Sequence, residues 1–198
     1  MEGFAELYRP IECDSRQRGI VMEQTKGNNM LYSFAPVFTS ESRVMILGSM
    51  PSNLSLKKGQ YYGNPRNAMW PILFSLLGEP LEEDYDKRIA MALRHGLSFW
   101  DVARSCQRKT SADSKIRDVT PNALETVLEQ CPHLKAFAFN GKKAYEMFEK
   151  FYGDRTGNSL SRKMEILVLP STSPANAMLN LEEKQRAWSA VVPFLTKK

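Results

Sequence analysis

Val44-Met45-Ile46-Leu47 runs straight into Gly48–Trp70, GSMPSNLSLKKGQYYGNPRNAMW, and the junction between the two decides the fold. The four apolar residues show no alternation, the pattern of a parallel strand covered on both faces. The loop after them is punctuated by glycine and proline and leads into an apolar helical period, Met69, Ile72, Leu73 and Leu76. Asn64-Pro65 carries the signature of a helix start, with asparagine as N-cap and proline at the first helical position, where no amide hydrogen is missed. That register puts Asn67 in the first turn, near free backbone N–H groups and the positive end of the dipole, a place for an anion or an oriented water. Tyr61 and Tyr62 come just before and offer aromatic faces on which a flat ligand can stack. The loop reads as the floor and wall of a pocket.

Outward from this stretch the chain alternates apolar strands with amphipathic helices. Strands are expected over 96–100, ending at Asp101, over 134–139, ending at Asn140-Gly141, and over 166–169, ending at Pro170. A helix over 82–95 places Tyr85, Ile89 and Leu93 on one face, with Gly96 as its stop. Another is expected to start at Thr120-Pro121 and bury Leu124, Val127 and Leu128. A third carries Ala144, Tyr145, Phe148 and Phe151, and the last starts near Asn180 with Glu183 placed for a capping box and buries Trp188, Val191 and Val192. The alternation predicts an α/β fold, a three-layer α/β/α sandwich around a central, mainly parallel four-stranded sheet. Residues 33–198 form this domain, and residues 1–32, with mixed charge and no sustained period, read as an N-terminal extension with a turn at Lys26-Gly27-Asn28-Asn29. Gly48, Asp101, Asn140 and Ser171 all fall just past the C-terminal end of an expected strand, the edge where open α/β sheets bind ligands.

Composition narrows the class. A chain of 198 residues suits one core, and 42% hydrophobic with 25% charged residues is ordinary for a globular protein. The net charge of +5 fits a polyanionic partner and fits equally a basic surface kept for solubility. Cys13, Cys106 and Cys131 are odd in number and lack CxxC spacing, which points to a reducing compartment and away from a disulfide framework. They also fall short of the four thiolates of an iron–sulfur cluster. Cys131 and His133 lack the paired spacing of a zinc site, so no metal and no organic cofactor are expected. No apolar run approaches the roughly 20 residues of a membrane span, and no signal pattern opens the chain. A cytoplasmic location is expected, or a nuclear one if the source has a nucleus.

The run GSMPS…YYGNPRNAMW resembles the first motif of the uracil-DNA glycosylase superfamily, and the whole pattern most resembles its DNA-deoxyinosine (hypoxanthine) glycosylase branch. Three further stretches follow in the family's order: SFWDVARSCQRKTSADSKI over 98–116, FAFNGKKA over 137–144 and VLPSTSPANA over 168–177. The likeness runs from about Phe34 to the C-terminus. It implies an enzyme that removes hypoxanthine first and uracil second from DNA; the pocket loops place no lysine as an amine nucleophile, which predicts a monofunctional glycosylase, and a DNA-base enzyme of this size suits a monomer. Alternatives are a mismatch-directed uracil or thymine glycosylase and a non-catalytic module that binds damaged DNA.

The resemblance also distributes roles. Asn67 is the implied catalytic residue; an amide cannot serve as a general base near neutral pH, so it would orient water or hydrogen-bond the departing base or sugar. Gly48, Ser49, Met50, Tyr62, Asp101 and Asn140 form the implied base pocket. Tyr62 stacks on the base, and Asp101 stands where several relatives read the Watson–Crick edge with asparagine. A carboxylate accepts hydrogen bonds, and hypoxanthine offers N1–H; a strand-end aspartate is also a common cap. Asn140 reads as pocket wall or as turn-former before Gly141. Two departures are visible: Met50 occupies the place of a water-activating Asp or Asn, and Ser171 that of the histidine of uracil-specific relatives. DNA contacts are expected from Ser52, Arg66, Arg108 and Lys109 and from Ser171, Thr172, Ser173, Pro174, Ala175 and Asn176, with Ala175-Asn176 as a small wedge. Arg104, Arg108, Lys109, Lys115 and Arg117, extended by Lys57, Lys58 and Arg66, read as a phosphate track or as a solvated loop. His95 and His133 read as structural.

Overall fold

Four parallel strands carry the fold in the computed structural model, which describes residues 30–108, 110–153 and 164–195. Strands β2 (Val44–Gly48), β3 (Leu97–Asp101), β6 (Ala136–Asn140) and β7 (Glu165–Leu169) lie in the order β3-β2-β6-β7. Strand β2 is central and buried throughout. Its side chains split by the period of two that a strand imposes. Val44 and Ile46 face one apolar cluster, built from α2 (Met69–Leu77), α3 (Tyr85–Arg94) and α6 (Leu181–Trp188). Met45 and Leu47 face the other, which takes in α4 (Leu124–Gln130) and α5 (Lys142–Tyr152). Trp188 and Phe99 anchor the first cluster, and Phe137, Phe139 and Phe148 the second, all fully buried. The result is the expected three-layer sandwich.

A second sheet was not foreseen. Strands β1 (Met30–Tyr32), β4 (Ala103–Gln107) and β5 (Arg117–Pro121) form an antiparallel sheet in the order β1-β4-β5. Residues 30–32, placed by sequence at the end of an extension, thus pair with β4, Met30 opposite Gln107 and Tyr32 opposite Ser105. The turn expected at 26–29 lies outside the described residues.

Three expected boundaries move. The helix read from Asn64-Pro65 starts at Met69. Residues 64–67 close a turn instead, with the Asn67 amide donating to Asn64 O (2.8 Å) and Asn64 Oδ1 taken by the Arg66 amide (3.0 Å). Thr120-Pro121 ends β5, and α4 begins at Leu124. Val192 is exposed, because the chain tightens into a 3-10 helix over Ser189–Phe194 after Trp188 and turns that side chain outward while burying Val191. Inside the pocket loop lies a short helix not read from the sequence, α1 (Asn53–Lys58), capped by Ser52 and closed by Gly59 at φ 65°. The capping box of α6, Asn180 with Glu183, forms as expected.

Candidate active site

Gly48 ends β2 directly opposite Asp101 at the end of β3. A Cβ built on Gly48 would collide with Asp101 Oδ1 and stand 3.9 Å from the Tyr62 hydroxyl. Only glycine leaves room for the carboxylate here. Asp101 is 4% exposed, and Ser33 Oγ donates to its Oδ2 at 2.7 Å. Its backbone is fixed from the other side by Asn122, whose Nδ2 donates to Asp101 O (2.8 Å) and Ala103 O (3.2 Å). The β2–β3 pairing continues past the strands, with the Val102 and Ala103 amides donating to Gly48 O and Ser49 O.

Tyr62 is held in the left-handed region at φ 54°, a strained conformation for an aromatic residue and one that clusters at functional sites. Its half-buried ring meets Phe99 edge-on at 6.0 Å and Tyr61 at 6.3 Å. Burial first, and then the Asp101 carboxylate, hold its phenol well above the usual range, while a hydrogen bond with the Asn140 side chain opposes them. Tyr61 is a packing residue: its hydroxyl donates to Ala35 O (3.1 Å) and its ring stacks on Phe99. Met50 departs from its expected place in the pocket. It is buried in the cluster of Met45, Leu47 and Val102, so its side chain belongs to the core.

Asn140 and Thr172 clasp one another. Asn140 Nδ2 donates to Thr172 Oγ1 (3.0 Å) and Asn140 Oδ1 accepts from the Thr172 amide (2.8 Å). Thr172 O in turn accepts from the Ala68 amide (3.0 Å). Thr172 is 0% exposed, so it joins β6, the segment before α2 and the loop after β7, and does not meet DNA. Beside it, Gly141 sits at φ 100° with Ser171 Cβ only 3.0 Å from where its own Cβ would be.

Asn67 lies next to this clasp and just outside α2. Its Oδ1 accepts from the Met69 amide (2.9 Å), so the side chain caps the helix from two residues before. With the oxygen committed, the Asn67 NH₂ group is the part left to donate.

The loop after β7 is cross-braced. Ser171 Oγ accepts from the Ser173 amide, Asn176 Nδ2 donates to Ser171 O (3.0 Å), and the buried Lys184 Nζ donates to Asn176 O (2.7 Å). Trp188 Nε1 holds Pro170 O (2.9 Å), while Pro174 and Ala175 are exposed. Of the other expected DNA contacts, Arg66 is exposed. Ser52 is committed to capping α1, accepting from the Ser55 amide (3.1 Å). Arg108 is 4% exposed and donates to Pro51 O and Asn53 Oδ1, so it braces the pocket loop from beneath and does not lie on a phosphate track. Lys109 lies outside the described residues. Arg104, Lys115 and Arg117 are exposed. His95 is structural, bonded to Glu79 (2.7 Å) at the end of α3. Ser33 and Asn122 went unnoticed in the sequence: Ser33 follows a segment with no period, and Asn122 sits behind a Thr-Pro pair that reads as a helix start.

The family model described as the uracil DNA glycosylase superfamily matches residues 35–192. The chain belongs to that superfamily. Two curated relatives within it are similar over most of their length. The protein named hypoxanthine DNA glycosylase of Methanosarcina barkeri is 33% identical over 159 residues, 79% of this chain and 94% of that one. Its namesake from Methanosarcina acetivorans is 35% identical over 161 residues, 80% and 95% of the two chains. A solution NMR structure of a Methanosarcina acetivorans protein superposes with TM-score 0.69 and 34% identity, covering 82% of this chain and 96% of that one. In this superfamily member, the motif stretches quoted from the sequence meet at one edge of the parallel sheet.

Proposed function

We propose that this protein is a monofunctional DNA glycosylase that hydrolyses the N-glycosidic bond of a deaminated base, hypoxanthine first and uracil second, and so opens base-excision repair. The observation that carries the reading is the edge where Gly48 makes room for the Asp101 carboxylate beside the strained Tyr62 ring. The similarity to two proteins named hypoxanthine DNA glycosylase supports it.

In this mechanism the target nucleotide leaves the duplex, at a cost of a few kcal/mol that is least for a damaged pair. Its base stacks on Tyr62, which returns roughly 1–3 kcal/mol. Asp101 accepts N1–H of hypoxanthine, a donor that adenine lacks, and the same acceptor suits N3–H of uracil. As the glycosidic bond lengthens, positive charge grows on the sugar and negative charge on the base. Asn67, its oxygen held by the Met69 amide, donates through Nδ2 to the departing base, stabilising charge that develops in the transition state. Water then adds to the sugar carbon and loses its proton to solvent, the departed base anion takes a proton from solvent, and an abasic site and the free base remain. Lys57 and Lys58, the lysines of the pocket loop, are exposed on α1, which fits hydrolysis by water and not by an amine nucleophile.

The remaining assignments complete the proposal. Arg66 and the backbone of 173–176 meet phosphates, the protein acts as a monomer, and it works in the cytoplasm, or in the nucleus of a eukaryotic source. Among the described residues no helix is long and apolar enough to cross a membrane. A second reading, a non-catalytic module for damaged DNA, draws on Met50 and Ser171, which stand where relatives carry chemistry.

Labelled oligonucleotides bearing one deoxyinosine, deoxyuridine or deoxyxanthosine, single-stranded and duplex, distinguish these readings after alkali cleavage of abasic sites. Cleavage led by deoxyinosine is expected. Cleavage led by deoxyuridine in a mismatched duplex indicates the mismatch enzyme, and binding without any cleavage by folded protein indicates the module.

A further inference from the structure

Asn140 ends β6 with both ends of its side-chain amide taken. Oδ1 accepts from the Thr172 amide (2.8 Å), Nδ2 donates to Thr172 Oγ1 (3.0 Å), and the Tyr62 hydroxyl is hydrogen-bonded to the same side chain. A primary amide has two donor and two acceptor positions, so little of this one is left to read a base. Its partner is placed to pass the constraint on. Thr172 is 0% exposed, and its carbonyl takes the Ala68 amide (3.0 Å). Ala68 is the N-cap of α2 and makes no side-chain cap bond, so the chain there is fixed by Thr172. Asn67 is the residue before it, with its own amide on Asn64 O (2.8 Å) and its Oδ1 on the Met69 amide (2.9 Å). A close approach of two strand ends makes the clasp possible: Ser171 Cβ stands 3.0 Å from where a Gly141 Cβ would be, and the Gly141 amide donates to Leu169 O (2.9 Å).

We propose that Asn140 is a positioning residue of the reaction: it does not read the base, and it acts by holding Thr172 so that Ala68, and with it Asn67, stands where the departing base needs a donor. The proposal rests on the glycosylase reading and supplies what keeps Asn67 in place. A donor stabilises developing charge best when its geometry is fixed beforehand and nothing reorganises at the moment of reaction. Asn67 lies outside α2, so the hydrogen-bond ladder of the helix does not fix its backbone. The bond from Ala68 to Thr172 O fixes it instead, and Thr172 is fixed in turn by the two bonds from Asn140. Burial makes this chain of bonds stiff, because no water reaches Thr172 to replace one that is lost. A residue kept only to turn the chain before Gly141 would need no bond to Thr172.

The test uses the full chain and reads Asn140→Ala in three ways: amide hydrogen exchange, single-turnover cleavage, and a double-mutant cycle with Asn67→Ala. Exchange at the Ala68 amide should quicken at least about tenfold while the amides of β2 keep the parent's rates. The chemical step on deoxyinosine should slow about 10- to 100-fold, the effect of a small misplacement, with DNA affinity within about threefold of the parent. The same factor is expected on deoxyuridine. In the Asn67→Ala background, Asn140→Ala should lower the rate by less than about threefold, because the group it positions is gone. Thr172→Val removes only the Oγ1 acceptor and should slow cleavage in the same direction, while Thr172→Ser restores the rate to within about threefold; this pair decides the matter if Asn140→Ala fails to fold. Parental exchange at Ala68, the full factor in both backgrounds, or a fall on deoxyinosine alone, the mark of base reading, overturns the proposal. Absence of cleavage by the parent protein would remove the glycosylase reading, and exchange at Ala68 would then decide by itself whether Asn140 holds this segment.

Discussion

Ser33 Oγ donates to Asp101 Oδ2 across 2.7 Å, and this bond ties the segment after β1 to the end of β3, at the proposed base pocket. Ser33 is itself held by its amide, which donates to Arg104 O on β4 (2.8 Å). The antiparallel sheet therefore orients the carboxylate proposed to read the base. A hydrogen bond to a charged group contributes about 1.5–3 kcal/mol. Ser33→Ala is expected to slow deoxyinosine cleavage by about tenfold and to narrow the deoxyinosine-to-deoxyuridine ratio, while Ser33→Thr, which keeps the hydroxyl, retains most of both. Single-turnover rates on the two substrates are the check, and a thermal melt of each variant separates a misplaced carboxylate from a damaged fold.

Gly48→Ala forces a methyl group into Asp101 Oδ1. Overpacking of this kind costs about 1–3 kcal/mol, which lowers the melting temperature by several degrees in a domain of this size. Cleavage should fall further than stability does, because the atom displaced is the one proposed to read the base. A Gly48→Ala protein with the parent's melting temperature and rate would mean that the carboxylate can move away freely.

Two arginines that look alike in the sequence should part company. Arg108→Ala removes a buried guanidinium from Pro51 O and Asn53 Oδ1 and is expected to destabilise by about 1–3 kcal/mol, seen as a lower urea midpoint. Arg66→Ala removes an exposed cation and should leave the midpoint unchanged while reducing the salt slope of DNA binding by about one. Titrating DNA affinity against salt for both variants measures the contrast directly.

Alkali should unfold the protein through its tyrosines. Burial is the largest cause raising Tyr61, Tyr62 and Tyr152 above their ordinary value near 10, with Asp101 adding to the first two and Glu125 to the third. The folded state keeps these protons after the unfolded chain has lost them. Their contribution is therefore complete below about pH 10 and is lost as pH rises beyond it. Burial also pushes the Cys131 thiol up to about 11, which adds a loss beginning near pH 9. Urea midpoints from pH 8 to 11 should bend downward near pH 9 and steepen above pH 10. Tyr62→Phe, with no proton to lose there, should show the shallower alkaline slope; equal slopes would remove Tyr62 from this explanation.

The parallel sheet was legible because its two central strands, β2 and β6, are apolar runs buried on both faces. The antiparallel sheet was not, since β1 spans only three residues, and β4 and β5 bear Arg104, Gln107, Arg117 and Asp118 and have bulged pairing that breaks the alternation. Asn64-Pro65 imitates a helix start, yet the Ala68 amide bonds to Thr172 O, a partner that no local pattern announces. The same long-range bond explains why Asn67 caps α2 from outside it. The strand-end placement of Gly48, Asp101 and Asn140 was readable from chain order alone, whereas the burial of Met50, Arg108 and Thr172 depends on what packs over them. Polar residues give little sequence signal of that kind.

The central claim is that Asn67 is catalytic, and the direct measurement is single-turnover cleavage of a deoxyinosine oligonucleotide by the parent and by Asn67→Ala, with DNA affinity measured alongside. Losing one preorganised donor costs about 100- to 1,000-fold in the chemical step, and that fall is expected here with affinity within about threefold of the parent. Asn67→Asp, which keeps an oxygen for the Met69 amide but lacks the NH₂ donor, should be impaired to a similar degree. An Asn67→Ala protein that cleaves deoxyinosine at the parent's rate contradicts the claim.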